Sequence, residues 1–225
     1  SYPNYRFFVG IPYGQAERWR PSVPVAPWRP RTFAAVDYGP WCPSASYDMS
    51  LEDDMHMETN SVLRWDAKLS FRVSEDCLFL NVFAPAGRPG AVGWELLPVL
   101  VWLHGGSFIY GAGSDVTSQD VAVLTLRGVV VVTVNSRLGA FGFAMRTAMG
   151  GREAAAEANL GFLDQRLALR FVRQHAAAFG GDPGRVTLMG WSSGAAAISA
   201  HLASPSSKGL FRAAIMQSGG FASWF

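Results

Sequence analysis

The sequence predicts an α/β protein built on a doubly wound, mostly parallel sheet. Two apolar runs, PVLVWL at 98–103 and VVVVTV at 129–134, are rich in branched residues and bounded by Gly or Pro. Such runs are typical of strands that are buried on both faces of a parallel sheet. Helical patterns alternate with the runs, which predicts right-handed crossover connections. The length of 225 residues suits one large domain or two small ones.

The elements follow a β/α alternation after an irregular start. Residues 17–43 are rich in Pro, Trp and Arg, so we expect an extended segment that its tryptophans pack onto a surface. The predicted strands cover 78–83, 98–103, 129–134, 186–189 and 212–217, and the predicted helices cover 118–126, 159–178 and 193–203. The longest helix is amphipathic and ends at the Gly-Gly-Asp-Pro sequence at 180–183.

The composition excludes several classes of protein. A formal net charge of +2 with scattered arginines does not predict nucleic-acid binding. No stretch of about 18 apolar residues occurs, so we expect no membrane span in this chain. The sequence also predicts no metal site and no cofactor.

The two cysteines, Cys42 and Cys77, enclose an acidic, Met-rich loop that holds eight of the seventeen acidic residues. A disulfide would fasten this loop to the body and stabilise the fold by about 3–4 kcal/mol through loop entropy. From spacing alone, two unrelated buried thiols remain the alternative.

The stretch VTLMGWSSGAAA at 186–197 predicts a strand, a sharp Gly-x-Ser-x-Gly turn and a helix of small residues. A serine hydroxyl at such a turn projects from the backbone, where a base can take its proton. Gly190 and Gly194 avoid clashes where the chain passes close to itself. The helix after Ser192 offers free N–H groups to a developing oxyanion. The pattern predicts Ser192 as a nucleophile on an elbow of the α/β-hydrolase type.

A second motif, His104-Gly105-Gly106-Ser107-Phe108, follows the apolar run at 98–103. Glycines at a strand end let backbone N–H groups face a ligand. We expect the N–H groups of Gly106 and Ser107, together with that of Ser193, to form an oxyanion hole. His104 lies beside this hole and is interpreted as structural.

With these motifs the chain resembles the N-terminal half of a type-B carboxylesterase, the family that includes the cholinesterases. The matching segments, in family order, are FFVGIPYG (7–14), YGPWCP (38–43), SEDCLFLNVFAP (74–85), LVWLHGGSFIYGAG (100–113), VNSRLGAFGF (134–143) and the long run 159–220. The resemblance implies an α/β-hydrolase fold with helices on both faces of a mostly parallel twisted sheet. It also implies that residues 1–225 are the N-terminal part of a single domain whose C-terminal half is absent from this chain.

The resemblance also assigns roles to single residues. It implies that Ser192 is the nucleophile, that Gly106, Ser107 and Ser193 supply the oxyanion N–H groups, and that Cys42 and Cys77 form the family's first disulfide. Such a disulfide implies a secreted protein or one of the secretory pathway lumen. In cholinesterase-like members a tryptophan of this loop binds a cationic choline group. Trp65 occupies a comparable place, but its neighbours differ, and we interpret it as a packing residue.

The catalytic triad is not complete in this sequence. Hydrolases of this fold place an Asp or Glu and then a His after the serine, and no acidic residue follows Ser192. His201 lies about 13 Å up the predicted helix, and neither His175 nor His56 is a credible base. We therefore expect a C-terminal half, or a second chain, to supply the acid and the histidine and to cover the last strand.

Two hypotheses for the function follow. The first is a serine carboxylic-ester hydrolase that acts on a small-molecule ester through an acyl-enzyme on Ser192. The second is a catalytically inactive esterase-like module for binding or assembly. It is motivated by Trp191, where resembling enzymes most often carry an acidic residue, and by the acidic and tryptophan-rich segments at 48–58 and 19–41.

Overall fold

A computed structural model describes residues 4–27, 32–44, 72–87, 95–116, 118–144 and 158–220 of the chain. The strands are β1 (Tyr5–Pro12), β2 (Gly14–Gln15), β3 (Val23–Pro24), β4 (Phe79–Pro85), β5 (Leu97–Leu103), β6 (Val130–Val134), β7 (Gly181–Trp191) and β8 (Ala213–Gln217). The helices are α1 (Ser118–Thr125), α2 (Gly139–Phe143), α3 (Leu160–His175) and α4 (Ser193–Ala203).

Six of the strands form one central sheet in the order β1-β4-β6-β5-β7-β8, and β2 pairs with β3 in a separate ribbon. The strands β6, β5, β7 and β8 run parallel to one another. All five residues of β6 are buried, as a continuous apolar run predicts for a central strand. Helix α1 connects β5 to β6. The predicted α/β fold with a mostly parallel sheet is confirmed.

The other side of the sheet differs from a fully doubly wound pattern. Strand β4 pairs antiparallel with β6, and β1, which the sequence analysis did not predict as a strand, pairs antiparallel with β4. The β1 register shifts between Phe8 and Ile11. Gly10 in this irregularity has φ +69°, and a Cβ atom there would lie 2.1 Å from the carbonyl oxygen of Asp37. The irregularity hides the strand from a period-two pattern.

A buried amide joins the three antiparallel strands. Asn81 of β4 accepts a hydrogen bond from the backbone N–H of Gly10 at 2.9 Å and donates one to the hydroxyl of Thr133 in β6, also at 2.9 Å. Asn81 is 5% exposed. A buried amide with both ends paired fixes one register of neighbouring strands, because any slip would leave it unpaired.

Strand β7 begins five residues earlier than predicted, at Gly181 directly after the helical turn 176–179. Gly181 pairs with Leu97, and the register shifts before Val99. A Cβ atom on Gly181 would lie 2.5 Å from Cγ2 of Val99. This close approach explains why glycine stands where the chain enters the sheet.

The extended segment within 17–43 packs through its tryptophans as predicted, where it is described. The ring of Trp19 stacks on Phe141 with centroids 6.4 Å apart. The indole N–H of Trp41 donates to the hydroxyl of Ser114 at 2.9 Å.

The cysteines Cys42 and Cys77 form a disulfide, and both are buried. The alternative of two unrelated thiols is therefore wrong. The loop residues 45–71, which include His56 and Trp65, lie outside the described residues. Among the residues that the structure describes, no helix combines the length and the apolar character that a membrane crossing requires.

Candidate active site

Ser192 occupies the turn between β7 and α4. Its backbone has φ 54° and ψ −120°, a conformation that non-glycine residues rarely adopt. The N–H of Ser192 donates to the carbonyl oxygen of Gln217 in β8 at 2.8 Å, and its own carbonyl accepts the N–H of Ala196 at 3.1 Å. The flanking strand and helix thus hold the serine in a strained turn of the kind that the Gly-x-Ser-x-Gly pattern predicts.

The flanking glycines are required by close backbone contacts. A Cβ atom on Gly190 would lie 2.5 Å from the carbonyl carbon of Gly194. A Cβ atom on Gly194 would lie 2.2 Å from the carbonyl oxygen of Leu103 and 2.7 Å from that of His104. The first turn of α4 therefore packs directly on the end of β5, where the Gly-Gly motif begins.

Gly219 is a third close contact that the sequence analysis missed. A Cβ atom on this residue would lie 2.3 Å from the carbonyl oxygen of Ser192. The signal in the sequence was the Gly-Gly pair at 219–220 after the last strand. The pair comes close to Ser192 only because β8 lies beside β7, and a local sequence pattern does not specify that neighbour.

The loop 104–108, here called the oxyanion loop, turns sharply after β5. Gly106 has φ +102°, and Ser107 and Phe108 have φ 54° and 61°. The carbonyl oxygen of Gly106 accepts the N–H groups of Ile109 at 2.9 Å and Tyr110 at 3.1 Å. The carbonyl of Phe108 accepts the N–H of Gly139 at 2.7 Å. These bonds hold the backbone of the loop in its turn.

His104 supports the oxyanion loop from within. Its Nδ1 lies 2.7 Å from the carbonyl oxygen of Gly105, so the ring donates a hydrogen bond there. A Cβ atom on Gly111 would lie 2.4 Å from the same nitrogen. Desolvation lowers the pKa of His104 and favours the neutral ring. The contacts agree with a structural role for His104.

His201 is buried away from the serine turn, in a network of its own. Its Nδ1 lies 3.0 Å from the hydroxyl of Ser207, and its Nε2 lies 3.1 Å from Oε1 of Gln165. Burial lowers the pKa of His201 to about 4, with a further contribution from the nearby Arg166. Both ring nitrogens are occupied, so His201 is not the base of Ser192. The distance along the predicted helix had led to the same conclusion.

His175 is exposed and lies against the ring of Phe171, with centroids 4.5 Å apart. In the described part of the chain, no three His, Cys, Asp or Glu side chains lie together as a metal site requires. The turn at Ser192 and the oxyanion loop are thus in contact through Gly194. The three described histidines all have contacts away from the Ser192 hydroxyl.

Trp191 is 47% exposed and packs on the oxyanion loop. A Cβ atom on Gly105 would lie 2.8 Å from Cε3 of its indole. The sequence analysis noted Trp191 as a departure from the usual acidic residue, but the contact with Gly105 was not predicted. It depends on the position of β5 beside β7.

An open, mostly parallel sheet with a strained serine between a strand and a helix, next to a glycine loop at the end of the neighbouring strand, defines an α/β-hydrolase. The family model described as "Carboxylesterase family" matches residues 1–225. The chain therefore belongs to the carboxylesterase family.

Individual relatives agree with this family assignment. The chain is 44% identical over 215 residues to para-nitrobenzyl esterase of Bacillus subtilis (strain 168), covering 93% of this chain and 39% of that protein. It is 39% identical over 216 residues to acetylcholinesterase of Gallus gallus, covering 94% and 26%. A solved structure described as a thermophilic PNB esterase aligns with a TM-score of 0.81 and 40% identity, covering 98% of this chain and 42% of that one. The chain thus spans less than half the length of each.

Proposed function

We propose that the protein is a serine carboxylic-ester hydrolase that acts through an acyl-enzyme on Ser192. The observation that carries the proposal is the strained backbone of Ser192, held at φ 54° between β7 and α4, while its neighbours Trp191 and Gly194 lie against the oxyanion loop. Strain of this kind persists where the surrounding structure imposes it, and it is concentrated at active sites. Membership of the carboxylesterase family supports the same reaction.

In the proposed reaction, the Ser192 hydroxyl gives its proton to a histidine base while Oγ attacks the ester carbonyl carbon. The N–H groups of Gly106, Ser107 and Ser193 bind the resulting oxyanion, aided by the N-terminus of α4. The bond to the alcohol breaks, and the alcohol leaves with the proton. Water then attacks the acyl carbon and releases the carboxylic acid, and the serine regains its proton.

The base and the acid are proposed to come from a C-terminal half or a second chain. No acidic residue follows Ser192 in the sequence, and the described histidines are engaged elsewhere. Strand β8 lies at the end of the sheet order, and Ile215 and Met216 on it are 44% and 45% exposed. An exposed apolar edge strand favours pairing with a further strand. The completing segment would cover this edge.

The substrate is proposed to be a small-molecule ester. The relatives named above include esterases of different stated substrates, so the acyl and alcohol groups are not assigned. The disulfide between Cys42 and Cys77 supports a setting in the secretory pathway or outside the cell.

Hydrolysis of p-nitrophenyl acetate by the full-length protein tests the proposal. We expect turnover that Ser192→Ala abolishes, because the acyl group then has no acceptor. The matched control is Ser206→Ala, an exposed serine beyond α4 that should leave the rate unchanged. A folded wild-type protein without turnover would favour the alternative, an inactive esterase-like binding or assembly module.

A further inference from the structure

Trp191 lies where the nucleophile and the oxyanion loop meet. It is the last residue of β7 and directly precedes Ser192. A Cβ atom on Gly105 would lie 2.8 Å from Cε3 and 3.2 Å from Cζ3 of the indole. Both distances are shorter than ordinary carbon contacts of about 3.5–4.0 Å. The ring therefore fills the space beside Gly105, and any larger residue at that position would collide with it.

The backbone that carries the indole is fixed. Trp191 pairs with Gln217 in the parallel ladder between β7 and β8, and the next N–H, that of Ser192, donates to the Gln217 carbonyl at 2.8 Å. A Cβ atom on Gly105 would also lie 3.2 Å from the carbonyl oxygen of Trp191. The indole thus belongs to the residue directly before Ser192, and the same hydrogen-bonded segment positions both residues.

The oxyanion loop needs such support. Gly106, Ser107 and Phe108 all have φ between 54° and 102°, and two of them are not glycine. Residues in this region are strained unless neighbouring groups hold them. On one side, a Cβ atom on Gly106 would lie 2.2 Å from the carbonyl oxygen of Tyr110. On the side of the elbow, Gly194 packs against the carbonyl oxygen of His104, and the indole of Trp191 packs against Gly105.

We propose that Trp191 is a positioning residue for the oxyanion hole: its indole, packed on Gly105, holds the N–H groups of Gly106 and Ser107 in place relative to Ser192. The proposal rests on the esterase function proposed above and adds to it a role for Trp191. It also explains the presence of an apolar ring at a position where resembling enzymes most often carry an acid. The ring positions the loop by van der Waals packing on Gly105, which requires no charge. Since Trp191 is 47% exposed, its loss removes less buried area than the loss of a fully buried tryptophan would.

The first test is the kinetics of p-nitrophenyl acetate hydrolysis by variants of the full-length protein. Trp191→Ala should lower kcat by about tenfold or more with KM changed less than about twofold, because displaced oxyanion donors weaken binding of the transition state alone. Trp191→Phe keeps an aromatic ring on Gly105 and should retain most of kcat. A change confined to KM, or equal losses in both variants, would overturn the proposal.

The second test is a double-mutant cycle that probes the contact itself. Gly105→Ala alone should lower kcat, because the new Cβ atom collides with the indole. In the Trp191→Ala background the ring is gone, and the same Gly105→Ala change should cost much less. Additive losses would show that the two positions do not interact and would overturn the proposal.

A control separates positioning from general destabilisation. Leu202→Ala removes another apolar side chain of similar exposure, 56%, from α4 and should leave kcat unchanged. Thermal unfolding of every variant accompanies the kinetics, and a loss of kcat that follows the melting temperature rather than the cycle would contradict the proposal. If wild type shows turnover but Trp191→Ala matches it, only this inference fails. If folded wild type shows no turnover, the esterase function itself fails.

Discussion

At the scale of single residues, Ser192 carries the most demanding conformation in the site. Its φ of 54° and ψ of −120° cost of the order of 1–3 kcal/mol for a residue with a side chain. Hydrogen bonds to Gln217 and Ala196 hold both of its backbone polar groups. Gly190, Gly194 and Gly219 allow the neighbouring chain to come close enough to make those bonds. The strain is therefore maintained by the elements around it.

The sequence motif predicted part of this arrangement. Ser192, Gly190 and Gly194 were found because the five-residue pattern encodes a local turn. The contact of Trp191 with Gly105, and that of Gly219 with Ser192, join residues far apart in the chain or in neighbouring strands. Such contacts depend on strand order, which a local pattern does not contain.

His201 supplies a prediction about pH. The folded protein keeps the ring neutral, with a pKa of about 4, whereas the unfolded chain protonates it below about pH 6.5. Between pH 6.5 and 4 the unfolded state binds the extra proton, so stability is fully present above pH 6.5 and falls as the pH is lowered. We expect this residue to contribute a loss of about 3 kcal/mol across that range.

Denaturant unfolding of the full-length protein between pH 7 and pH 4 measures this loss. His201→Gln does not titrate, so it should remove the loss of about 3 kcal/mol that His201 contributes between pH 6.5 and pH 4. His175→Gln is a control at an exposed histidine and should have a smaller effect. An unchanged pH dependence in His201→Gln would contradict the assignment.

At the scale of elements, apolar runs predicted the parallel centre of the sheet, and irregular strands escaped prediction. The run at β6 is continuous because all five of its residues are buried, whereas in β5 buried residues alternate with half-buried ones. Strand β1 contains a register shift around Gly10, and the first residues of β7 include Gly181 and Pro183. Neither has the alternation or the β-branched run by which a strand is identified from its sequence.

A buried ion pair anchors α3 to the end of β6. Asp164 accepts hydrogen bonds from Nε and Nη2 of Arg137, each at 2.8 Å, and Nη1 of Arg137 donates to the carbonyl oxygen of Arg20 at 2.7 Å. The side chains of Asp164 and Arg137 are 0% and 5% exposed. The pair therefore joins the helix, the strand end and the proline-rich segment.

We expect Asp164→Asn to lower the free energy of unfolding by about 3–5 kcal/mol, because it leaves the arginine charged, buried and without its partner. Chemical denaturation of the full-length protein measures the change. Glu75→Gln breaks the exposed pair with Arg18 and should have little effect. Equal, small losses in both variants would contradict the assignment of the Arg137 pair as an anchor.

At the scale of the whole molecule, the sheet ends in an exposed strand. Four of the five residues of β8 are exposed, and among the residues described no strand pairs with its outer edge. The chain spans only 26–42% of the lengths of the relatives compared above. Both observations support the proposed completing segment. The sequence predicted both the missing acid and base and an uncovered last strand, and the structure adds which residues of β8 are exposed.

Hydrogen exchange tests the completion of the sheet. In the full-length protein, the amide groups of β8 that point away from β7 should exchange slowly, because a further strand pairs with them. Residues 1–225 expressed alone should show fast exchange at the same amides. The interior strand β5, protected on both sides, is the internal control in both samples. Equally fast exchange of β8 in the two samples would contradict a covering segment.

The reaction at Ser192 is tested most directly by a phosphonate ester that forms a stable adduct with an activated serine. The full-length protein is treated, digested with trypsin and examined by mass spectrometry of the peptide 186–208, with fragmentation to locate the adduct. We predict one adduct per molecule, on Ser192, and none in Ser192→Ala. A folded protein whose Ser192 stays unmodified, or whose adduct lies on another residue, would contradict the account.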